Sequence, residues 1–412
     1  MDIEEIKEIK KNMIKYGLLN DFYKSLIDQY ETKGLSDKQM IYFQRIIDTN
    51  NNLNEALKVK RPVVYSNEEI LQSKKNFDNL KKKCKNKIVA IGCHYDADGV
   101  SSGALLFNLL KKFETNEILT ISSDEKFIIS KNQFKKDADI YIITDINPAE
   151  DIPAEKLIYL DHHPLQTELD GEIMWNLSDE SSTSASILIF KSFLLWTLED
   201  LYDYEMETFF MLTGYTGDMG DAINNLDTNL YDSIQNYFPY LLKYSEFNGK
   251  ISLYIEKFRS YFNLGKRSGW NGNLILDDLK RFFNYKSLEN YFFNDDKYVI
   301  IKEELKELYS KKYDLIETEN IVFTQVDVNE HYNIVGVIAS RINNDTKKTA
   351  IAIQEKNGVF KGSMRSTDID CNEFINDCGL ITGDGHQDAA GFEIEKEKIK
   401  DLIDYIKKYK KK

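Results

Sequence analysis

Residues Lys87–Leu106 read KIVAIGCHYDADGVSSGALL. The run Ile88-Val89-Ala90-Ile91 is short and β-branched, the pattern of a buried strand, and it stops at Gly92. His94, Asp96 and Asp98 follow, Gly99 closes the turn, and a helical pattern starts near Val100. The acidic pair therefore falls where a strand hands over to a helix. In open α/β sheets ligands bind outside the carboxyl ends of the strands. Asp96 and Asp98 stand at i and i+2, so in an extended segment they project to one side and both reach one cation. Taken alone, DADG is equally a solvated turn. An EF-hand is excluded by the missing third oxygen ligand and distant Glu, and a P-loop by the lack of Gly-Lys-Ser/Thr.

The 412 residues set a prior of two to three domains. Hydrophobic residues at 42% and charged ones at 30% are ordinary for a soluble globular chain. A net charge of −14 argues against a protein that coats nucleic acid through a generic basic surface, though not against an enzyme with a local basic groove. Clustered acidic metal ligands add negative charge that bound metals offset. Cys84, Cys93, Cys371 and Cys378 form no CxxC, so a zinc ribbon and a thioredoxin motif are excluded and the thiols read as reduced. The charged start MDIEEIKEIKKN and the lack of any run of 18 apolar residues predict neither a signal peptide nor a membrane span, hence a cytoplasmic protein.

Residues 1–80 carry helical stripes, Ile3, Ile6, Ile9, Met13 and Ile14, then Leu18, Leu19, Phe22 and Leu26, then Met40, Phe43, Ile46 and Ile47. Ser36 and Gln39 have capping-box spacing, and Arg61-Pro62 marks the exit. The simplest reading is a helical cap on the core; docking of a protein partner is the alternative. Lys81-Lys82-Lys83-Cys84-Lys85 is a basic run of the kind that usually lies on a solvated face.

From Lys87 to about Asp218 strands alternate with helices. Strands are predicted at Ile88–Ile91, Ile118–Ile121, Ile140–Thr144 and Leu157–Leu160, and helices at about Ser101–Lys112 and Ser182–Leu195. Alternation means a mostly parallel sheet, so the fold class is α/β. Three strands end in acidic motifs: Asp96 and Asp98, then Asp145 in IITDINP, then Asp161-His162-His163 in IYLDHHP. Parallel strands bring such groups to one edge. Asp218 in TGYTGDMGD ends a helical segment, about Tyr204–Thr213, that can approach the same edge. Residues 222–320 read as mostly helical, with a long helix over Tyr298–Leu315 linking two domains. The last domain, from about Ile321, has strands at Ile321–Val326 and Ala350–Gln354 and three distinctive phrases, VGVIASRI, KGSMRS and GDGHQDAAG.

All five histidines, His94, His162, His163, His331 and His386, lie in or beside these motifs. Imidazoles among several carboxylates suit manganese, with iron, cobalt or zinc as competitors. Four or more acidic ligands point to two metals that share a bridging carboxylate.

Asp96-x-Asp98-Gly99, Asp145, Asp161-His162-His163 and Asp218 resemble, in order, the four signature motifs of the DHH phosphoesterases. HYNIVGVIASR (His331–Arg341), KGSMRS (Lys361–Ser366) and GDGHQDAAG (Gly383–Gly391) resemble the substrate-binding domain associated with that family. The wording is most similar to RecJ-like single-strand exonucleases of the archaeal type. It departs at Gly92, where many relatives keep a metal-ligand histidine, and at Asp384, where the family's phrase has a second glycine.

With the helical patterns, the resemblance leads us to expect a helical N-terminal extension over 1–80, a DHH catalytic domain over 81–297 with a helical insertion, a linker helix over 298–320, and a smaller α/β substrate-binding domain over 321–412. It implies that Asp96, Asp98, Asp145, His162 and Asp218 hold two divalent cations, Mn2+ first and Mg2+ as the alternative, with Asp145 as the bridge. His94 is a further candidate ligand. His163 would touch the scissile phosphate or the leaving oxygen, and Asp161 would orient an imidazole. Ser363, Arg365, Ser366, Gly385 and His386 would bind substrate phosphate, with Arg341 as an additional candidate. Ser181, Ser182 and Thr183 read as helix caps able to receive an anion.

The activity implied is 5′-to-3′ hydrolysis of single-stranded DNA, with RNA as a second substrate. The competing enzyme readings are a phosphodiesterase of short oligonucleotides or cyclic dinucleotides and a pAp phosphatase. The competing non-enzyme reading is a replication scaffold, which the retained carboxylates disfavour.

Overall fold

The computed structural model describes residues 67–123, 128–163, 173–176, 184–196, 205–219, 226–247, 250–269, 272–282, 284–385 and 387–409, with 7, 11, 21–33, 35, 36, 39, 40 and 43. The chain divides into two compact units, residues 1–263 with 271–292, and residues 264–270 with 293–412.

The first unit is built on a five-stranded parallel sheet. Its strands are β1 (Ile88–Cys93), β2 (Glu117–Ser122), β3 (Ile140–Thr144), β4 (Leu157–Asp161) and β5 (Ile173–Asn176), in the order β2-β1-β3-β4-β5. From β1 the chain moves outward to β2, then returns to lay β3 on the other side of β1. The crevice between the carboxyl ends of β1 and β3 is thus the topological switch point, where this class of sheet binds ligands. The strands read as near-continuous Val/Ile-rich runs because both faces of the sheet are covered; Val89, Ala90, Ile91, Ile142, Ile143, Tyr159 and Leu160 are buried.

Helices of this unit include α1 (Asp21–Lys33), α2 (Asn67–Cys84), α3 (Ala97–Lys111), α4 (Ala185–Phe193), α5 (Glu205–Met219) and, after a helix at Thr228–Tyr237 and a hairpin (Tyr244–Phe247 with Lys250–Leu253), α6 (Glu256–Phe262). α3 packs on α5 and α4. Two boundaries differ from the sequence reading. The helix after Asp96 begins at Ala97, three residues before Val100. The helix predicted to stop at Thr213 continues to Met219, so Asp218 lies in its last turn. Gly214 and Gly217 do not break it, because they are where α5 meets its neighbours: a Cβ on Gly214 would lie 2.3 Å from Ser186 Oγ and 2.5 Å from Asp98 Oδ1.

In the N-terminal region Leu26, Ile27, Phe43, Leu80 and Cys84 are buried. Ser36 donates its N–H and its hydroxyl to Gln39 Oε1 at 3.1 and 2.8 Å, the reach-back half of a capping box. Arg61-Pro62 lies outside the described residues. The basic run closes α2, where cations suit the carboxyl end of a helix.

The second unit carries a mixed six-stranded sheet, β6 (Leu315–Glu317), β7 (Ile321–Gln325), β8 (Thr349–Lys356), β9 (Val359–Arg365), β10 (Thr382–Gly385) and β11 (Ala389–Glu395), in the order β6-β7-β8-β9-β11-β10. Only β7 and β8 pair in parallel. Phe323, Ile351, Ile353, Met364, Phe374, Phe392 and Leu402 fill its core. The helix predicted over Tyr298–Leu315 spans Asp296–Ser310, is capped by Asp295, and lies in this second unit; Leu315 already belongs to β6. The phrase VGVIASRI forms the helix Val335–Thr346, KGSMRS the end of β9, and GDGHQDAAG the β10/β11 edge. The four cysteines are buried free thiols. Among the described residues no helix is long and apolar enough to cross a membrane.

Candidate metal centre

Asp96 is the N-cap of α3, with its Oδ1 accepting the Gly99 N–H at 3.2 Å. Gly99 is required here: a Cβ would lie 2.4 Å from the carbonyl oxygen of His94. Asp98 sits in the first helical turn, so the two carboxylates do not share one side of an extended segment as the i, i+2 spacing predicts. The helical rotation of about 100° per residue sends them to different partners. Asp96 Oδ2 lies 2.9 Å from His94 Nδ1. Asp98 turns the other way and is fully buried; its Oδ2 accepts the Ala185 N–H at 2.7 Å and its Oδ1 the Ser186 N–H at 3.1 Å. The amino end of α4, capped by Ser184, therefore does receive an anion, and the anion is Asp98 itself. Ser181, Ser182 and Thr183 lie outside the described residues.

Asp145 follows β3 at the switch point. Its backbone has φ +59°, a left-handed conformation that Asp tolerates better than most residues. Its carboxylate stands between the two groups, with Oδ2 3.6 Å from His94 Nδ1 and Oδ1 3.4 Å from His162 Nε2. His162 Nε2 is also 3.1 Å from Asp218 Oδ2 and 4.0 Å from Asp98 Oδ2. Two sets result, His94/Asp96/Asp145 and Asp98/Asp145/His162/Asp218, and within each all the potential ligand atoms lie within 4.8 Å of one another. A third grouping, Asp145/Asp161/His162/His163, meets the same limit.

The chemistry of this donor set fits a divalent cation. Asp145 Oδ1 and His162 Nε2 are buried without an aligned hydrogen bond, which is costly for polar atoms that have no further role. Burial, then the neighbouring Asp218 charge, pushes the Asp98 carboxyl up to about 7. Desolvation raises Asp145 and Asp218 as well, with surrounding carboxylates adding to it. Burial lowers His162, but the close carboxylates of Asp145 and Asp218 outweigh it and carry the imidazole up to about 12. Three crowded carboxylates that strain against ionisation, Asp98 and Asp145 of them buried, are an acidic cluster able to hold metal ions.

Asp161 behaves differently. Its Oδ1 accepts the backbone N–H groups of His162 (2.7 Å) and His163 (3.2 Å) and lies 2.8 Å from His163 Nδ1; its Oδ2 accepts the Tyr159 hydroxyl. Burial raises its pKa, yet the hydrogen bonds from His163 and Tyr159 hold it below the usual carboxylate range. These contacts tie it to His163, whose side chain is 46% exposed.

In the second unit, Arg365 Nη1 donates to Ser363 Oγ at 2.9 Å and to the Met364 carbonyl at 2.8 Å. A Cβ on Gly336 would lie 3.4 Å from Arg365 Nη2, so this guanidinium rests at the amino end of helix Val335–Thr346, which has no side-chain cap. Ser366 and Arg341 are held by contacts of their own within the unit. The buried Ser366 hydroxyl is held by Thr349 (2.7 Å) and accepts the N–H groups of Asp368 and Ile369, so it serves the turn after β9. Arg341 donates to the Tyr309 carbonyl and lies 3.8 Å from Asp345 Oδ2, an exposed structural contact. Gly385 ends β10, its carbonyl accepting Asn372 Nδ2 at 2.8 Å. His386 lies outside the described residues. The motifs did not reveal Tyr159, Ser184, Ser186 or Gly336; an IYLD tyrosine two residues before an aspartate was the one available signal.

A DHH family, N-terminal domain model matches residues 88–213, and a DHHA1 domain model matches residues 318–412. Together they cover more than half of the chain, which belongs to the DHH family of phosphoesterases. No curated protein sequence gives a significant match. Among solved structures, a DHH-domain protein described as a member of a family of ribosomal proteins is 12% identical and covers 91% of this chain and all of its own, with TM-score 0.58. Exonuclease RecJ bound to manganese is 13% identical, covering 85% of this chain and 97% of its own at TM-score 0.56. RecJ from Thermus thermophilus, in complex with Mn2+, is 16% identical, covering 87% of this chain and 57% of its own at TM-score 0.54. At these identities the likeness is one of fold.

Proposed function

We propose that the protein is a two-metal phosphodiesterase, and that its reaction is the 5′-to-3′ removal of nucleoside 5′-monophosphates from single-stranded DNA, with RNA as a second substrate. The observation that carries the reading is Asp145, one carboxylate common to two ligand sets. His94 and Asp96 would complete one set, and Asp98, His162 and Asp218 the other. Bound there, two divalent cations, Mn2+ before Mg2+, supply an acidified water and stabilise both oxygens of an in-line displacement.

The chain's own residues do the rest. His163, held through Nδ1 by Asp161, supplies a proton to the departing 3′-oxygen. In the second unit Arg365, set by Ser363 beside an uncapped helix terminus, binds a terminal 5′-phosphate. Exonuclease RecJ as a structural neighbour supports the substrate class, since that protein is an exonuclease by name.

The test offers the Mn2+-loaded protein a 5′-phosphorylated single strand, a duplex, a dinucleotide, a cyclic dinucleotide and pAp. Fastest turnover of the single strand is expected. Turnover confined to the dinucleotide, the cyclic dinucleotide or pAp overturns the exonuclease reading, and no turnover of any of them with two Mn2+ bound favours a scaffold.

A further inference from the structure

Outside the motifs, α6 makes two hydrogen bonds to the segments that carry the acidic groups. Asn263, at its carboxyl end, accepts the Ala97 N–H on Oδ1 at 3.1 Å. Ala97 lies between Asp96 and Asp98, and its N–H is one of the first-turn donors of α3 that have no partner within the helix. One turn earlier, Arg259 Nη1 donates to the Thr216 carbonyl at 2.9 Å, two residues before Asp218 in the last turn of α5. A cation is favoured at that end of a helix.

Arg259 and Asn263 are i and i+4 and share a face of α6. The alternate pair Phe258 and Phe262 fixes the helix on α5, with Phe258 edge-on to Phe209 at 4.7 Å and Phe262 at 6.3 Å from the same ring. α3 and α5 touch where the two contacts converge: a Cβ on Gly217 would lie 3.1 Å from both Ala97 Cβ and Asp98 N. One short helix thus grips the amino end of α3 and the carboxyl end of α5 at their closest approach.

We infer that Arg259 and Asn263 are positioning residues that brace Asp96 and Asp98 against Asp218 and so set the separation across which the carboxylates share cations. This rests on the two-metal reading of the site. Neither residue needs to touch a metal. Their effect is on the geometry of three ligands borne by two different helices, which no contact within either helix controls.

The test is Mn2+ binding by calorimetry or by the electron paramagnetic resonance of unbound Mn2+, with no substrate present. Each variant's thermal midpoint is recorded alongside. Asn263→Ala and Arg259→Ala are expected to weaken Mn2+ binding about 10- to 100-fold, the range for groups that orient metal ligands. Asn263→Asp keeps the acceptor for Ala97 and Arg259→Lys keeps a donor for Thr216, so both are expected to bind within about threefold of wild type. Wild-type Mn2+ affinity in the folded alanine variants overturns the brace while leaving the metal site standing. If an alanine variant does not fold, failure of its conservative partner to retain affinity overturns the brace equally. Absence of Mn2+ binding by the wild-type protein overturns both the metal centre and the brace.

Discussion

Asp98 Oδ2 accepts the backbone N–H of Ala185 at 2.7 Å, so a carboxylate of the acidic cluster also closes the amino end of α4. The same side chain thus has a structural duty and a proposed chemical one, and substitution should separate them. Asp98→Asn keeps one acceptor oxygen for the helix end, gives up the second, and removes the charge. We expect hydrolysis to fall by about two orders of magnitude or more, the scale for losing a preorganised charged group. In chelator, Asp98→Asn should unfold near the wild-type temperature, because the buried like charge that is gone offsets the one acceptor that is lost. Asp98→Ala should unfold lower, by the roughly 0.5–2 kcal/mol of a lost cap. Thermal unfolding with and without Mn2+ checks both.

The shared position of Asp145 predicts metal stoichiometry. Asp96→Ala removes a ligand from one set only and should leave one Mn2+ per chain. Asp218→Ala should do the same from the other side. Asp145→Ala strikes both sets and should abolish tight binding altogether. Calorimetric stoichiometry decides the matter; two ions retained by Asp145→Ala would exclude it as the bridge.

The metal-free protein should lose stability as pH rises. Burial and then Asp218 raise the folded pKa of Asp98 to about 7, against 3.8 for an unperturbed carboxyl, so the native state holds the proton more tightly than the unfolded one. The unfavourable contribution develops from about pH 4 and is complete above about pH 7. Asp145 and Asp218 shift in the same direction. His162, raised to about 12 by Asp145 and Asp218 against the pull of burial, contributes stability fully present below pH 6.5 that is lost toward about pH 12. The signs agree. In EDTA the unfolding temperature at pH 5.5 should exceed that at pH 7.5, and saturating Mn2+ should reverse the order. A flat profile in EDTA would show that the carboxylates are not crowded.

Much of this was legible in the sequence because it is local. β-branched runs of four or five residues mark the strands, and parallel pairing gathers their terminal Asp145 and Asp161-His162-His163 at one edge. What could not be read was the division of labour within a motif. Whether Asp96 and Asp98 point together depends on where α3 begins, and that is fixed by contacts to Ala185, Ser186 and Asn263, between 87 and 166 residues away for these bonds. The continuation of α5 through Gly214 and Gly217 is likewise a tertiary effect, since the glycines that weaken it locally are what let α3 and α4 approach. The turn contacts of Ser366 are of the same kind: that its hydroxyl accepts the Asp368 and Ile369 N–H groups could not be read from KGSMRS.

Those contacts separate three residues of the second unit experimentally. Arg365→Ala should reduce the preference for a 5′-phosphorylated strand over its 5′-hydroxyl counterpart about tenfold or more, the value of one or two charge-assisted hydrogen bonds. Arg341→Ala should leave the preference unchanged. Ser366→Ala should also leave it unchanged while lowering stability by about 1–3 kcal/mol, since the Ile369 N–H, buried, and the Asp368 N–H, half-buried, lose their acceptor. Rates on paired substrates and denaturant midpoints distinguish the three outcomes.

Tyr159 provides the sharpest test of the role given to Asp161. Its hydroxyl donates to Asp161 Oδ2 and also lies 3.2 Å from Asn147 Oδ1, and the other Asp161 oxygen faces His163 Nδ1, so the tyrosine stands behind the imidazole. Tyr159→Phe leaves the packing of a buried ring nearly intact and deletes one donor. Asp161 keeps its three contacts on Oδ1, so His163 should lose rigidity rather than its partner, and turnover should fall about tenfold with Mn2+ affinity unchanged. Asp161→Asn is more severe. Its amide oxygen can keep the three contacts made by Oδ1, but the charge that holds the His163 imidazole is lost and an N–H group is set against the Tyr159 hydroxyl, so turnover should fall a further ten- to hundredfold, within the usual range for a mispositioned acid–base group. Equal losses in the two variants, or a loss of Mn2+ in Tyr159→Phe, would mean that Asp161 belongs to the metal set and not behind His163.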